Sequence, residues 1–147
     1  MNIRSSVNRS LLLLLAFALP VLTSSHAEAA ESPKRAVEIT FLKSKPGQRE
    51  QLRAFIVANW FAMDRIAKEK GLIASFTVLD SGNDKGPWNL MVLTTYLDAK
   101  GYDGVAAAYE SIRLAHKTVR VQGKTLENLG VVVDSKKLFE IPALVTQ

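Results

Sequence analysis

The chain has 147 residues, a formal net charge of +5 and no cysteine. This length provides one domain once a leader segment is set aside. The lack of cysteine excludes disulfides, thiolate metal sites and thiol nucleophiles, so stability must come from core burial and oligomerisation. The basic residues are scattered rather than aligned in a stripe, which argues against nucleic acid as a partner.

The N-terminal segment has the pattern of a cleaved secretory signal. Two arginines precede an apolar run from Ser10 to Leu22, which is shorter than the ~20 residues that span a bilayer. Small residues then allow cleavage after Ala27 or Ala29. We predict a signal peptide over residues 1–29, a periplasmic or secreted protein, and no membrane association after cleavage. The alternative is an uncut N-terminal anchor.

Residues 30–36, which include Pro33, are predicted as a flexible lead-in, and residues 37–147 as a single domain. Within this domain Val37–Lys43 is predicted as a strand, because apolar residues alternate along it. A long helix is predicted over Gln48–Lys70. Residues spaced by four and three form its apolar stripe: Leu52, Ile56, Asn59, Met63 and Ile66, widened by Phe55, Trp60 and Ala67.

A β-hairpin is predicted from Ile73–Asp80 and Trp88–Leu97, joined by a polar loop of turn-forming residues. The second strand contains no glycine, proline or charge, and both of its faces are largely apolar. Its alternating residues divide into two sets: Trp88, Leu90, Val92, Thr94 and Tyr96 on one face, and Asn89, Met91, Leu93, Thr95 and Leu97 on the other. Such a strand must be covered on both sides, by helices on one and, we predict, by a second copy of the chain on the other.

Tyr102–Lys117 is predicted as the second helix, with His116 at the end of its apolar stripe. The conformation of residues 118–135 is left open. This segment could contain a short strand or a loop, followed by a helix or an extended run that includes three consecutive valines. Lys136–Ile141 is predicted as the last strand.

The resulting order is β-α-β-β-α-β, with an extra segment before the last strand. This is the split βαβ pattern of ferredoxin-like α+β folds, in which helices cover one face of an antiparallel sheet. The other face stays open to a partner. The sequence therefore predicts a homodimer that forms through the open face of the sheet.

Three stretches resemble the dimeric α+β barrel superfamily: VEITFLKSKPG (Val37–Gly47), GLIASFTVLD (Gly71–Asp80) and WNLMVLTTYLDAKGYDG (Trp88–Gly104). This superfamily includes antibiotic-biosynthesis-type and haem-degrading monooxygenases, muconolactone isomerases and stress-type domains. The resemblance covers most of the chain after the leader. It implies two sheets packed face to face in a dimeric barrel, with a ligand pocket in each subunit between sheet and helices.

Asn59 and His116 are two candidate pocket residues. Asn59 interrupts an apolar stripe, so it is either a buried amide that fixes packing or a hydrogen-bond donor that faces a cavity. His116 is either a satisfied core residue or, at a cavity, a general base or axial haem ligand. Some monooxygenases of this fold orient their substrate with an asparagine, a tryptophan and sometimes a histidine, and Asn59, Trp60 and His116 are of these types.

Trp60, Trp88 and Tyr96 complete the set of ligand-pocket candidates. The tryptophans are either core or interface anchors or part of a pocket wall, and the Tyr96 hydroxyl needs a partner if it is buried. No glycine-rich phosphate loop and no carboxylate cluster with metal spacing is present, so neither a cofactor nor a metal is predicted.

Three functions remain compatible with these patterns. The first is a small-molecule-binding or stress-type domain without catalysis, which the scarcity of titratable groups on the apolar stripes favours. The second is a cofactor-independent monooxygenase or isomerase that acts on a small hydrophobic or aromatic compound. The third is a structural dimer without a ligand, which a filled space between helices and sheet would favour.

Overall fold

The computed structural model describes residues 34–141. In chain order its elements are β1 (Ala36–Ser44), α1 (Arg49–Glu69), β2 (Ile73–Asp80), β3 (Leu90–Tyr96), α2 (Tyr102–Ala115), α3 (Leu126–Leu129) and β4 (Gly130–Phe139). The predicted signal peptide lies outside the described residues. Within them, no helix has the length and apolar character needed to cross a membrane.

The four strands form one antiparallel sheet in the order β2-β3-β1-β4. At its centre Ile39 of β1 lies opposite Leu93 of β3 on one side and opposite Lys136 of β4 on the other. With α1 connecting β1 to β2 and α2 following β3, this is the split βαβ arrangement. The prediction of a ferredoxin-like α+β fold with an antiparallel sheet is confirmed.

Both long helices pack on the same face of the sheet. In one buried cluster Leu52, Phe55 and Ile56 of α1 contact Leu42 and Leu90 of the central strands. Burying each such side chain contributes roughly 1.5–3 kcal/mol, whereas a helix cap contributes only ~1 kcal/mol. The N-cap residue of α1 makes no side-chain cap hydrogen bond. The position of α1 is therefore stabilised more by the packing of its apolar side chains than by capping of its N-terminus.

A second buried cluster lies under α2. It joins Ile112 of α2 and Ala67 of α1 to Ala36, Ile73 and Tyr96 of the sheet. Together the two clusters occupy the space between helices and sheet, where the resemblance implied a ligand pocket. This packing makes that space part of the core, as the hypothesis of a structural dimer predicts, and the grooves open to a ligand among residues 34–141 lie at the surface.

The opposite face of the sheet, here called the open face, is mostly apolar, although Lys43, Asp134 and Lys136 also lie on it. Among residues 34–141 no helix packs on it. Strand alternation and register place these side chains there: Val37, Ile39, Phe41, Leu79, Met91, Leu93, Val131 and Leu138. Leu79, Val131 and Leu138 are about half exposed, so the single chain leaves an apolar surface in contact with water.

The structure corrects the last strand. The strand predicted over Lys136–Ile141 is wrong at both ends, because β4 begins at Gly130 and ends at Phe139. Val131 and Val132 already pair with β1. Before them, α3 is a single turn with a capping box at Thr125, so residues 125–133 contain both of the conformations that the sequence left open.

The structure also corrects the face assigned to Trp88. β3 begins at Leu90. Just before it, the backbone N–H of Asn89 donates to Leu42 O at 2.9 Å, and the side chain of Asn89 is hydrogen-bonded to Ser44. The regular alternation therefore does not extend back to Trp88. Its ring lies 5.3 Å from that of Phe41 on the open face, instead of beside Leu90.

Two further boundaries differ from the sequence prediction. Ala36, assigned to the lead-in, is the buried first residue of β1. The short strand considered for the segment after α2 is absent from residues 116–125. The β-pairing there is one isolated bridge between Val121 and Lys124. Positive φ angles at Gln122 and Gly123 form the tight turn between them.

Candidate functional site

Asn59 links α1 to the extended segment that follows α2. Its Nδ2 donates to Phe55 O at 2.9 Å and to Val119 O at 3.0 Å. Its Oδ1 accepts the Val119 N–H at 2.7 Å and lies 3.0 Å from His116 Nε2. Because both roles of the amide are satisfied by protein groups, Asn59 acts here as a structural anchor that positions other residues.

The same contacts define the orientation of His116. Since the amide nitrogen of Asn59 donates to two carbonyls, its oxygen faces the imidazole, and His116 Nε2 must carry the hydrogen that it donates. Within residues 34–141, Nδ1 of His116 has no hydrogen-bond partner. In the neutral ring this nitrogen keeps a lone pair that can accept a proton or a hydrogen bond.

His116 lies at one end of a surface groove between α1 and α2, here called the helix groove. Its volume is about 280 Å³. Its floor is apolar and its rim carries basic and hydroxyl groups. The lining residues are Ile66, Lys70, Ser111, Ile112, Ala115, His116 and Lys117. A wall of this composition can bind a small ligand that combines an apolar body with a polar group.

The other candidates lie in different places. Trp60 is half-buried and packs against the first apolar cluster. Trp88 borders the open face through Phe41. The Tyr96 hydroxyl is on the helix side of the sheet and donates to Glu38 at 3.1 Å. Of the five candidates, only Asn59 and His116 are joined by a hydrogen bond.

The helix side of the sheet also contains a group of buried and half-buried acids and tyrosines. Asp64, only 3% exposed, accepts a 2.5 Å hydrogen bond from the Tyr109 hydroxyl. Glu38 accepts from the Tyr96 hydroxyl and from the backbone N–H of Tyr102, both at 3.1 Å. The partners of Glu38 are therefore tyrosine groups of β3 and α2.

Asp64 is a buried polar residue that the sequence prediction did not include. The signal was present, since Asp64 lies four residues after Trp60 and three before Ala67. It therefore falls on the widened apolar stripe of α1, where a carboxylate must be buried. Its contact with Tyr109 could not be predicted, because the two residues are 45 positions apart on different helices.

Burial controls the protonation of this group. It raises the pKa of Asp64 above its usual value, and the hydrogen bond from Tyr109 opposes this only in part. Burial, with the neighbouring carboxylates, also raises the pKa of Tyr96 and of Tyr109 well beyond the ordinary range. Both hydroxyls therefore remain protonated donors, suited to holding carboxylates in place rather than to nucleophilic attack.

Metal binding finds no ready site in the part of the chain that the structure describes. No group of three or more histidine, cysteine, aspartate or glutamate side chains is placed there to hold an ion. Asp80 at the end of β2 and Asp84 in the loop that follows are instead paired with Arg49, at 3.5 Å and 3.3 Å.

No protein-family profile matches the sequence, and no curated protein matches it. Solved structures do match. HapK from Hahella chejuensis is 11% identical, with 74% of this chain and 94% of that chain covered and a TM-score of 0.50. At this identity the similarity shows the fold alone. It confirms the resemblance to ferredoxin-like α+β proteins at the level of the backbone.

Two other solved structures are similar at lower TM-scores. A putative antibiotic biosynthesis monooxygenase from Chloroflexus aurantiacus is 13% identical, with 73% of this chain and 93% of that chain covered and a TM-score of 0.44. SnoaB, a cofactor-independent oxygenase from Streptomyces nogalater, is 11% identical, with 79% and 98% covered and a TM-score of 0.39. No residue role is transferred from any of them.

Proposed function

We propose that this protein is an exported homodimer that binds a small hydrophobic or aromatic compound in the helix groove of each subunit. The observation that carries this proposal is the groove itself, where an oriented histidine lies beside an apolar floor formed by Ile66 and Ile112. Few convergent polar groups on a mostly apolar wall are typical of small-molecule sites. Export is supported by the N-terminal sequence pattern.

Dimer formation is supported by the open face. Monomeric proteins rarely leave a contiguous apolar sheet face in water. Packing two such faces across a two-fold axis would bury Phe41, Leu93 and Leu138 twice over, once from each subunit. The helix groove lies on the other side of the sheet, so the groove of each subunit stays accessible in this arrangement.

Native mass spectrometry of the protein isolated from its exported compartment tests export, dimer formation and ligand binding together. We expect a dimer whose chains begin after Ala27 or Ala29 and which retains a small molecule. Replacing Ala115, which lines the groove, by tryptophan should remove this added mass. Ala107→Trp is the matched control, because Ala107 is exposed on the same helix and is not part of the groove lining.

Other outcomes would contradict the proposal. A monomer would remove the role assigned to the open face. An uncleaved chain would remove export by a signal peptide. Bound mass that survives Ala115→Trp but is lost in Ala107→Trp would place the ligand outside the helix groove.

A second function, cofactor-independent oxygenation or isomerisation, is favoured by the unpaired Nδ1 of His116. Both reactions can begin when a base removes a proton from the bound compound, and Asn59 holds the ring with this nitrogen unoccupied within the described residues. His116→Gln would then abolish turnover while the ligand still binds. Unchanged turnover in this variant would eliminate His116 as the base.

A further inference from the structure

We infer that the ligand of the helix groove is a small amphipathic anion, such as an aromatic or short aliphatic carboxylate, whose charge is bound by Lys70 and Lys117. This inference rests on the proposed function, because it assigns a chemical class to the ligand of that same groove.

The apolar part of the groove requires an apolar ligand body. Ile66 is 41% exposed although it belongs to the apolar stripe of α1, and it faces the groove together with Ile112 and Ala115. A ring or short alkyl chain placed there would remove this exposed surface from water. The gain is proportional to the apolar area that is covered.

The charged part of the groove is entirely basic. Lys70 follows the end of α1 and Lys117 follows the end of α2, so two separate elements bring their lysines to the same rim. Neither lysine forms an ion pair with another residue in 34–141, and no carboxylate lines the groove. The nearby acid Glu110 is already bound by Arg113. An anion is therefore the charge that this rim complements.

The backbone that carries Lys117 is held in position before a ligand arrives. Asn59 binds both backbone groups of Val119 and the ring of His116, so Lys117 lies between two anchored residues. Preorganisation of this kind lowers the entropy cost of binding. A volume of about 280 Å³ is just below the range of small-ligand pockets, which begins at about 300 Å³, so the groove suits a small ligand rather than a large one.

The test compares cinnamate with its neutral amide, cinnamamide, which has nearly the same shape. Both are titrated into the mature protein while amide resonances are followed by NMR, and octanoate with octanamide repeats the comparison for a linear chain. We expect the acids to shift resonances of the groove residues and to bind about fivefold to tenfold more tightly than the amides, the gain available from two partly exposed ion pairs.

The variant Lys70→Gln/Lys117→Gln should lose this preference and bind acid and amide equally. Lys68→Gln/Lys85→Gln is the matched control, because it removes the same charge from exposed positions that do not line the groove. It should retain the preference for the acids.

The outcomes separate the two proposals. If acids and amides shift the groove residues with equal affinity, the anionic class is wrong while the binding function stands. The same holds if the control variant loses the preference as completely as the groove variant does. If none of the four compounds shifts the groove residues, both the ligand class and the function assigned to the groove are overturned.

Discussion

Asn59 is bound through four hydrogen bonds to both its own helix and the segment after α2. Replacing it with alanine should lower the free energy of unfolding by about 2–4 kcal/mol, since each hydrogen bond contributes ~1 kcal/mol net and the Val119 N–H loses its acceptor. Urea denaturation of the two proteins measures this difference.

His116→Ala is the comparison for this variant, because it removes only one of the four hydrogen bonds. His116→Ala should lower the free energy of unfolding by less than about 1.5 kcal/mol. If Asn59→Ala were as stable as the natural protein, the amide would not be the anchor of residues 116–119. Its role would then have to be sought in ligand binding.

Asp64 should make stability depend on pH. Because burial raises its pKa in the folded state, the folded protein binds a proton that the unfolded chain has released, above about pH 4. The stability from this proton is complete below the unfolded pKa and is lost as pH rises through the folded pKa. Asp64→Asn should therefore show less loss of stability between pH 4 and neutrality.

Urea titrations at several pH values give the curve for each variant. The control is Glu127→Gln, which changes an exposed carboxylate of α3, away from the open face. Its stability should follow that of the natural protein across the same range. If Asp64→Asn shows the natural pH dependence, then Asp64 is ionised in the fold without cost, and the burial argument for this residue is wrong.

At the level of elements, the start of β4 depends on close approach of two strands. A Cβ at Gly130 would lie 2.6 Å from Lys43 O and 2.7 Å from a methyl group of Leu52. Gly130→Ala must therefore displace backbone as well as core, and it should destabilise by about 1–3 kcal/mol. Thermal unfolding measures the loss.

Ser135→Ala, an exposed change later in the same strand, should have little effect. A Gly130→Ala protein of natural stability would mean that β4 can begin further along the chain. A strand that begins at Lys136, as the sequence predicts, would then describe the fold better than one that begins at Gly130.

The elements that the sequence predicted well are those whose pattern is local. The stripe of α1, the bounds of β2 and the start of α2 follow from spacing and turn residues alone, and Ile73–Asp80 was predicted without error. Residues 118–135 could not be predicted in this way. Their conformation depends on Asn59, far away in the chain, and on the pairing of Val131 and Val132 with β1.

In the candidate site, too, only the features with a local sequence pattern could be predicted. Asn59 and His116 could be named because each interrupts an apolar stripe. Their contact could not, since it joins side chains 57 positions apart and depends on how the two helices cross. The lysines of the helix groove gave no local signal at all, because an exposed lysine at the end of a helix is common.

For the whole molecule, the open face decides whether the protein functions as a single chain or as a pair. Leu93 lies near the middle of this face, opposite Ile39 and Thr77 in the neighbouring strands. In a two-fold interface Leu93→Glu would introduce a carboxylate from each subunit into an apolar contact. Burying these unpaired charges is costly enough to dissociate the dimer.

Sedimentation equilibrium should therefore find Leu93→Glu monomeric at concentrations where the natural protein is dimeric. Leu114→Glu is the matched control, since Leu114 is 72% exposed on α2, on the other side of the sheet, and this variant should remain a dimer. Circular dichroism confirms that both variants are folded. If Leu93→Glu stays dimeric, the subunits do not meet through the open face, and the argument from its apolar side chains fails.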